Sequence, residues 1–394
     1  MYQHFFLSIL LLFGFNLTGQ NTTEMKPYAQ EIEANFISSY YQQDGDNSAV
    51  TGGIGTQELT DVASVFIVNI PLDSIKAINI YAGIDFYSSA STDMIDNNIS
   101  SASSKDSRKF ATFSYNRLNL KKGETYSAKI GFSSEYDYTS FSTGLSYTKQ
   151  WNEANSELSL SGQAFFDSWS LIYPSELRGD VSLPSAGRQS YNGQLTFSQI
   201  VSPRSQVSFS AEAIYMKGLL STPFHRVYFA DTNTGDIERL PDNRLKIPLS
   251  IRFNIFPTDQ IILRSYYRYY WDDFGIQSHT FEFEIPIKLG QVFTLSPFYR
   301  YHTQSKADYF APFEGHLSSQ EFYTSDFDLA ELSSQKYGMG IKYFPLYGVL
   351  RSKPFSKKNK ILMIKSLAFR GAYYTRDTGL NAFIGSLNVS FGIK

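Results

Sequence analysis

The chain has 394 residues, enough for two ordinary soluble domains or one large β-architecture. Its 35 Lys and Arg against 37 Asp and Glu leave a formal net charge of -2, which argues against a nucleic-acid partner held by bulk electrostatics. With no cysteine, it has no disulfides, no thiolate metal sites and no Cys nucleophile.

The first residues, "MYQHFFLSILLLFGFNLTGQ", read as a secretory signal peptide over 1–19. The apolar run from Phe5 to Phe15 is too short and too abruptly ended for a transmembrane helix. Cleavage is expected near Gln20, followed by a short periplasmic segment over 20–30. No Cys follows, so the chain is not a lipoprotein, and no later run reaches the roughly 18 apolar residues of a membrane helix.

From there on, polar and apolar residues alternate in sixteen segments with almost no helical period. The expected strands are 31–42, 58–70, 76–88, 109–120, 124–136, 139–151, 156–169, 188–201, 206–217, 246–256, 260–271, 279–288, 292–304, 334–344, 361–375 and 381–394. Ile247, Leu249, Ile251, Phe253 and Ile255 share one face, with Ser250, Arg252 and Asn254 on the other. In the last strand Phe383, Leu387, Val389, Phe391 and Ile393 oppose Ser386, Asn388 and Ser390.

A soluble β-sandwich or propeller alternates as well, but three features favour a membrane barrel. They are the export signal, the aromatics near strand ends, and the loop lengths. The chain carries 28 Tyr and 33 Phe at a mean hydropathy of -0.25. Short links such as "PLDS", "KKGE", "SPRS" and "PTDQ" follow every second strand, and the intervening links 43–57, 89–108, 170–187, 218–245 and 305–333 are long. Short periplasmic turns and long external loops are the pattern of outer-membrane barrels. The expectation is therefore an all-β chain whose residues 31–394 form a transmembrane antiparallel β-barrel of about 16 strands in the bacterial outer membrane. Its partners would be outer-membrane lipid and the barrel-insertion machinery.

Parity then sorts the charges. Arg264, Arg268, Glu282 and Glu284 fall on the polar face, joined by Arg252 and Arg300 from neighbouring strands. An Arg facing lipid at the midplane would cost about 2–4 kcal/mol, so these groups look inward. Arg252, Arg264, Glu282 and Glu284 form a charge ladder that stiffens the interior, or else border a polar pathway. A second concentration lies at the external rim: His225, Arg226, Asp272, Asp273, His279 and His302, with Glu238, Asp308, and Asp93, Asp96, Asp106, Glu135, Asp137 and Asp167 from the first half. Carboxylates beside imidazoles are competent to hold a divalent metal or to hydrolyse a bond at the rim. No HExxH, GxSxG or fixed ligand spacing is present, so neither an enzyme nor a cofactor is expected, and the metal stays open. "TDMIDNN" (92–98) lacks the Gly and closing Glu of a calcium loop, and "TGGIG" (51–55) is no phosphate cradle.

The blocks "STPFHRVYF", "ERLPDNR", "YYRYYWDDFGIQSHT" and "LSPFYRYHTQSKADYF" resemble those of a bacterial domain-of-unknown-function family, number 3570. "YSSASTDMIDNNISSASSKDSR" and "EYDYTS" are similar to its N-terminal blocks, so the resemblance covers most of the mature chain. It implies an outer-membrane barrel and no particular activity. It also implies neighbours of the kind found beside its members: small lipoproteins, thioredoxin-like proteins and flavin-attaching enzymes. A small lipoprotein or a periplasmic redox protein is thus an expected partner.

Three functions remain in view. The leading one is passage or binding of a small polar solute or metal ion, with His225, Arg226, Arg268, Asp272, Asp273, His279, Arg300 and His302 as contributors. The second is a membrane scaffold that docks a lipoprotein or periplasmic partner. The third is a hydrolase at the rim.

Overall fold

The computed structural model describes residues 25–29, 31–89, 105–177, 185–232, 234–352 and 361–393. The expected leader over 1–19, its cleavage near Gln20, most of 20–30, and the 92–98 segment with Asp93 and Asp96 lie outside the described residues.

In chain order the strands are β1 (Ile32–Asp44), β2 (Leu59–Pro71), β3 (Lys76–Ser89), β4 (Lys105–Asn119), β5 (Glu124–Ser134), β6 (Tyr138–Trp151) and β7 (Ser156–Ser170). There follow β8 (Ser185–Ser202), β9 (Ser205–Gly218), β10 (Arg226–Tyr228), β11 (Gly235–Ile237), β12 (Asn243–Ile255), β13 (Leu263–Asp272) and β14 (Gln277–Glu284). The last are β15 (Ile287–Leu289), β16 (Phe293–Gln304), β17 (Leu332–Tyr343), β18 (Leu350–Ser352), β19 (Leu362–Arg376) and β20 (Asn381–Ile393). Wall strands pair antiparallel in chain order, with β9 meeting β12 past the separate β10–β11 hairpin, and β1 closes the sheet on β20, from Ile32↔Ile393 to Asp44↔Asn381. β14 with β15, and β17 with β18, each act as one broken stave, so the wall is a closed 16-strand antiparallel barrel. Closure leaves no unpaired edge, which is what a β-structure in hydrocarbon requires.

All sixteen expected strands are present. The break after Glu284 has a local cause. Ile285 donates its N–H to the Pro297 carbonyl at 3.0 Å, but Pro297 has no N–H to return, and Pro286 follows. The ladder resumes at Ile287↔Leu295.

The outward face is apolar and aromatic. Phe66, Ile130, Leu145, Leu160, Phe281 and Phe369 are among its exposed side chains, Leu145 at 69%. In water such a surface would be prohibitive; around a closed barrel it is the lipid-facing band. No helix of the described residues is long and apolar enough to cross a membrane. The chain crosses with strands, and it is an integral outer-membrane β-barrel.

The external loops fold over the mouth. Loop 219–242 carries the β10–β11 hairpin, whose Phe229 bridges His316, while Arg239 bridges Tyr323 and Phe310 bridges Thr324. Two small cores hold this lid together: Val227, Phe229 and Tyr323, and Phe274, Ile276 and Ala307 under Leu240, Tyr309 and Phe310. Arg226, only 5% exposed, makes a bidentate pair with Glu176 of the β7–β8 loop and bonds the Val50 carbonyl of the β1–β2 loop. Those two loops leave the barrel six staves apart, so a single guanidinium joins segments from well-separated parts of the mouth.

Candidate functional site

Beneath the lid, strand register stacks the lumen residues of β12 to β19 into rows. The uppermost row runs Arg268, Thr280, His302, Ser334, Arg376 across β13, β14, β16, β17 and β19. The next runs Arg252, Tyr266, Glu282, Arg300, Lys336, Tyr374, and begins on β12. A third runs Asn254, Arg264, Glu284, Phe298, Gly338, Ala372. Together they hold six basic side chains (Arg268, Arg376, Arg252, Arg300, Lys336 and Arg264) against two carboxylates, Glu282 and Glu284.

Part of the basic excess is neutralised internally. Glu284 is shared by Arg264 at 3.6 Å and by Arg370 at 3.5 Å. Arg252 lies over the Tyr266 ring and Arg370 over Phe298, with guanidinium carbons 5.1 and 3.7 Å from the ring centres. The rest is not. Arg300 stands between Glu282 and Lys336. The Nε of Arg268 is buried without a hydrogen-bond partner among the described residues. Arg300, His302, Lys336 and Arg376 line a cavity of about 400 Å³, with Tyr41 and Tyr374 on its wall and Asp328 from the lid above it. Asp328 pairs with Arg376 at 2.8 Å and so pins the lid to β19. His302 shares a hydrogen bond with Thr280 at 2.8 Å.

The far wall differs in kind. β5 to β9 present hydroxyls that pair across strands, such as Thr196 with Ser210 and Ser198 with Ser208, and isolated charges held by amides, Lys129 by Gln163 and Glu212 by Gln194. The lumen therefore has a basic wall and one lined by hydroxyls, amides and charges of both signs.

The expected site residues divide accordingly. Arg300 and His302 line this compartment, Arg268 lies in the lumen row of His302, and Arg252, Arg264, Glu282 and Glu284 form the expected ladder below. Arg226 is a lid tie. Asp272, fully buried, holds the rim turn: its Oδ1 accepts the N–H groups of Phe274 and Ile276 at 3.0 Å, and its Oδ2 accepts the Tyr270 hydroxyl at 2.6 Å and pairs with Arg244. Asp273 accepts the Leu245 N–H at 2.9 Å, a bond between neighbouring strand ends. These three acids and bases are consumed by structure rather than presented to a solute. His279 is a correction. It pairs with Tyr269 in register and bonds the Tyr267 hydroxyl at 2.9 Å, on the face shared with Phe281 and Phe283, so it looks outward from the barrel. Asp272 and His279, which a rim hydrolase would combine, thus sit on opposite faces of the wall.

His225 belongs to a different group. It and Glu238 are cross-strand neighbours at the base of the β10–β11 hairpin, where Glu238 N–H donates to the His225 carbonyl at 2.9 Å. Asp326, from loop 305–331, completes a cluster whose ligand atoms all lie within 4.8 Å of one another. Burial opposes the charged imidazole of His225, yet the hydrogen bond and charge of Glu238 outweigh it and raise its pKa. Burial also opposes charge on Glu238, whose pKa is nonetheless lowered by His225, Thr324 and the Thr222 N–H. On Asp326 burial wins and pushes the carboxyl up to about 6.

Sequence reasoning missed Lys336, Arg370 and Arg376. The same alternation in 334–344 and 361–375 would have placed Lys336 and Arg370 on the lumen face, while Arg376 lies one residue past the expected strand end.

Among solved structures the chain is similar to the siderophore receptor PirA from Acinetobacter baumannii, at 14% identity and a TM-score of 0.44, over 89% of this chain and 54% of that one. It spans about half the length of that receptor. It is also similar to PirA from Pseudomonas aeruginosa (10%, TM-score 0.43, 93% of this chain and 81% of that one). A third is OccK1 (OpdK) from Pseudomonas aeruginosa (8%, TM-score 0.40, 92% and 98%). A search of curated proteins gives no match. Residues 88–388 match the family model described as "Protein of unknown function (DUF3570)", and the chain belongs to that family.

Proposed function

We propose that this barrel takes up or passes a small anionic solute, which docks on the basic wall beneath the lid. The observation that carries this reading is the basic excess around the 400 Å³ cavity: Arg300, Lys336 and Arg376 against Asp328 alone, with Asp328 already paired to Arg376. Arg300 and Lys336 are direct cross-strand neighbours. Like charges so placed are destabilising. At a separation of about 6 Å and an effective dielectric near 20, they repel by on the order of 2–3 kcal/mol. A carboxylate or phosphate bound between them replaces that repulsion with two attractions and charge-assisted hydrogen bonds. The Tyr374 hydroxyl, which accepts from Arg376 Nε at 3.3 Å, adds a donor for the same group.

The lid supports uptake under control rather than free flow, because its loops meet over the mouth through Arg226. A swelling assay with proteoliposomes tests the reading. Small dicarboxylates should enter faster than neutral or cationic solutes of matched size. Equal rates for all three classes, or silence for all, would count against it.

A further inference from the structure

We propose that His225, Glu238 and Asp326 form a binding site for one divalent transition-metal ion of the zinc type, which latches the two large external loops together. The site is distinct from the basic compartment and does not depend on the solute reading.

The geometry is that of a three-ligand site. The Nδ1 of His225 lies 3.4 Å from Glu238 Oε2 and 3.9 Å from Asp326 Oδ2. An ion with ligands at about 2.0–2.1 Å in tetrahedral array separates them by roughly 3.4 Å. A direct imidazolium–carboxylate hydrogen bond would instead close to about 2.7–2.9 Å. The 3.4 Å pair is long for a charge-assisted hydrogen bond and matches two ligands of one ion, while the 3.9 Å pair and the 4.8 Å span of the three atoms would close in around it.

Both carboxylates are also held from behind, as metal ligands are. The Oε1 of Glu238 accepts the Thr222 N–H at 2.7 Å, and its Oε2 accepts the Thr324 hydroxyl at 2.6 Å. Asp326 uses Oδ1 to accept the Asp328 N–H at 2.9 Å, which leaves Oδ2 turned to His225. The imidazole is packed edge-on against Phe224. Charge agrees. Two carboxylates face a single imidazole in a largely buried site, with side-chain exposures of 16, 2 and 22% for His225, Glu238 and Asp326. A divalent cation with a neutral imidazole brings the group to neutrality, which a proton on His225 alone does not. One nitrogen and two oxygens suit a borderline ion, and leave a fourth position for water.

The consequence is mechanical. His225 and Glu238 come from loop 219–242, and Asp326 from loop 305–331, so the ion cross-links the two halves of the lid. The test uses the full mature chain in detergent, stripped with chelator and titrated with Zn2+ by calorimetry and with Co2+ by visible absorption. One ion per chain is expected, with tetrahedral-type Co2+ bands. His225→Gln and Asp326→Asn should each weaken binding at least tenfold, in protein shown to be folded by heat-modifiable gel mobility. Zn2+ should also slow tryptic cleavage after the exposed Lys306 in the wild type. Should a variant not fold, the wild type still decides: absence of a one-site isotherm overturns the proposal. So does unchanged affinity in a folded variant.

Discussion

Arg300 and Lys336 face each other across the β16–β17 ladder, both on the lumen side and both lining the cavity under the lid. The same row places Glu282 on the other side of Arg300, and the row above carries Arg268, His302 and Arg376. Charges of one sign gathered within a few strand spacings are an electrostatic expense that folding alone does not explain. In the outer wall they would face hydrocarbon, so the barrel interior is where they are tolerated. On the proposed reading, the group they serve there is an anion.

The lid tie is a stability element with a functional readout. Arg226→Ala removes the bidentate pair with Glu176 and the bond to the Val50 carbonyl. Hydrogen bonds to charged groups contribute about 1.5–3 kcal/mol each way they are lost, so loop contacts across the mouth should loosen while the barrel persists. Limited proteolysis should cut the external loops faster, and solute entry into proteoliposomes should rise. Unchanged loop protection would mean that other contacts hold the lid.

Asp272 separates a structural role from a solute-binding one. Asp272→Asn keeps the shape but removes the charge that Arg244 and three hydrogen-bond donors use. Breaking a buried pair from one side costs about 3–5 kcal/mol. Urea unfolding in lipid vesicles, followed by tryptophan fluorescence, should show a loss of about 3 kcal/mol, with ion selectivity of the folded fraction unchanged. A selectivity change without a stability change would return Asp272 to the solute path.

The strands were legible because a period of two is local: it survives in any window of ten residues, and the polar face of β12 to β14 could be read with its charges. Register was not. Whether Arg300 meets Lys336 or its neighbour depends on how β16 slides against β17, and those strands are separated by a long loop. Hence parity alone turns Arg268 and Arg300 inward, whereas His302 reads as a rim residue until register sets it in the lumen row beside Thr280 and Ser334, and Lys336 and Arg376 are joined to them only by register. The lid was harder still. Val227 and Tyr323 pack together although nearly a hundred residues apart, without any periodicity to announce it. Asp272 and Asp273 look like rim ligands in sequence because a carboxylate that caps a turn and one that binds a solute have the same letter. His279 was misassigned for a related reason. Polar character groups it with the rim residues that would meet a solute, but parity with Phe281 and Phe283 places it outside, where Tyr267 satisfies its ring nitrogen.

That position gives a control. His279→Ala removes one hydrogen bond on the outer surface, where Tyr267 can find water or headgroups instead. Stability should fall by less than about 1 kcal/mol, and solute entry should match the wild type. A large loss of solute entry would show that the outer face takes part in function.

The central claim is that the basic wall selects anions, and reversal potential reads it most directly. The protein is reconstituted in a planar bilayer under a potassium chloride gradient, and the wild type is compared with the Arg300→Gln/Lys336→Gln double variant. The account predicts an anion-selective wild type, and a permeability ratio that drops severalfold toward unity in the double variant. A cation-selective wild type, or a ratio that does not move when both charges are removed, would contradict it.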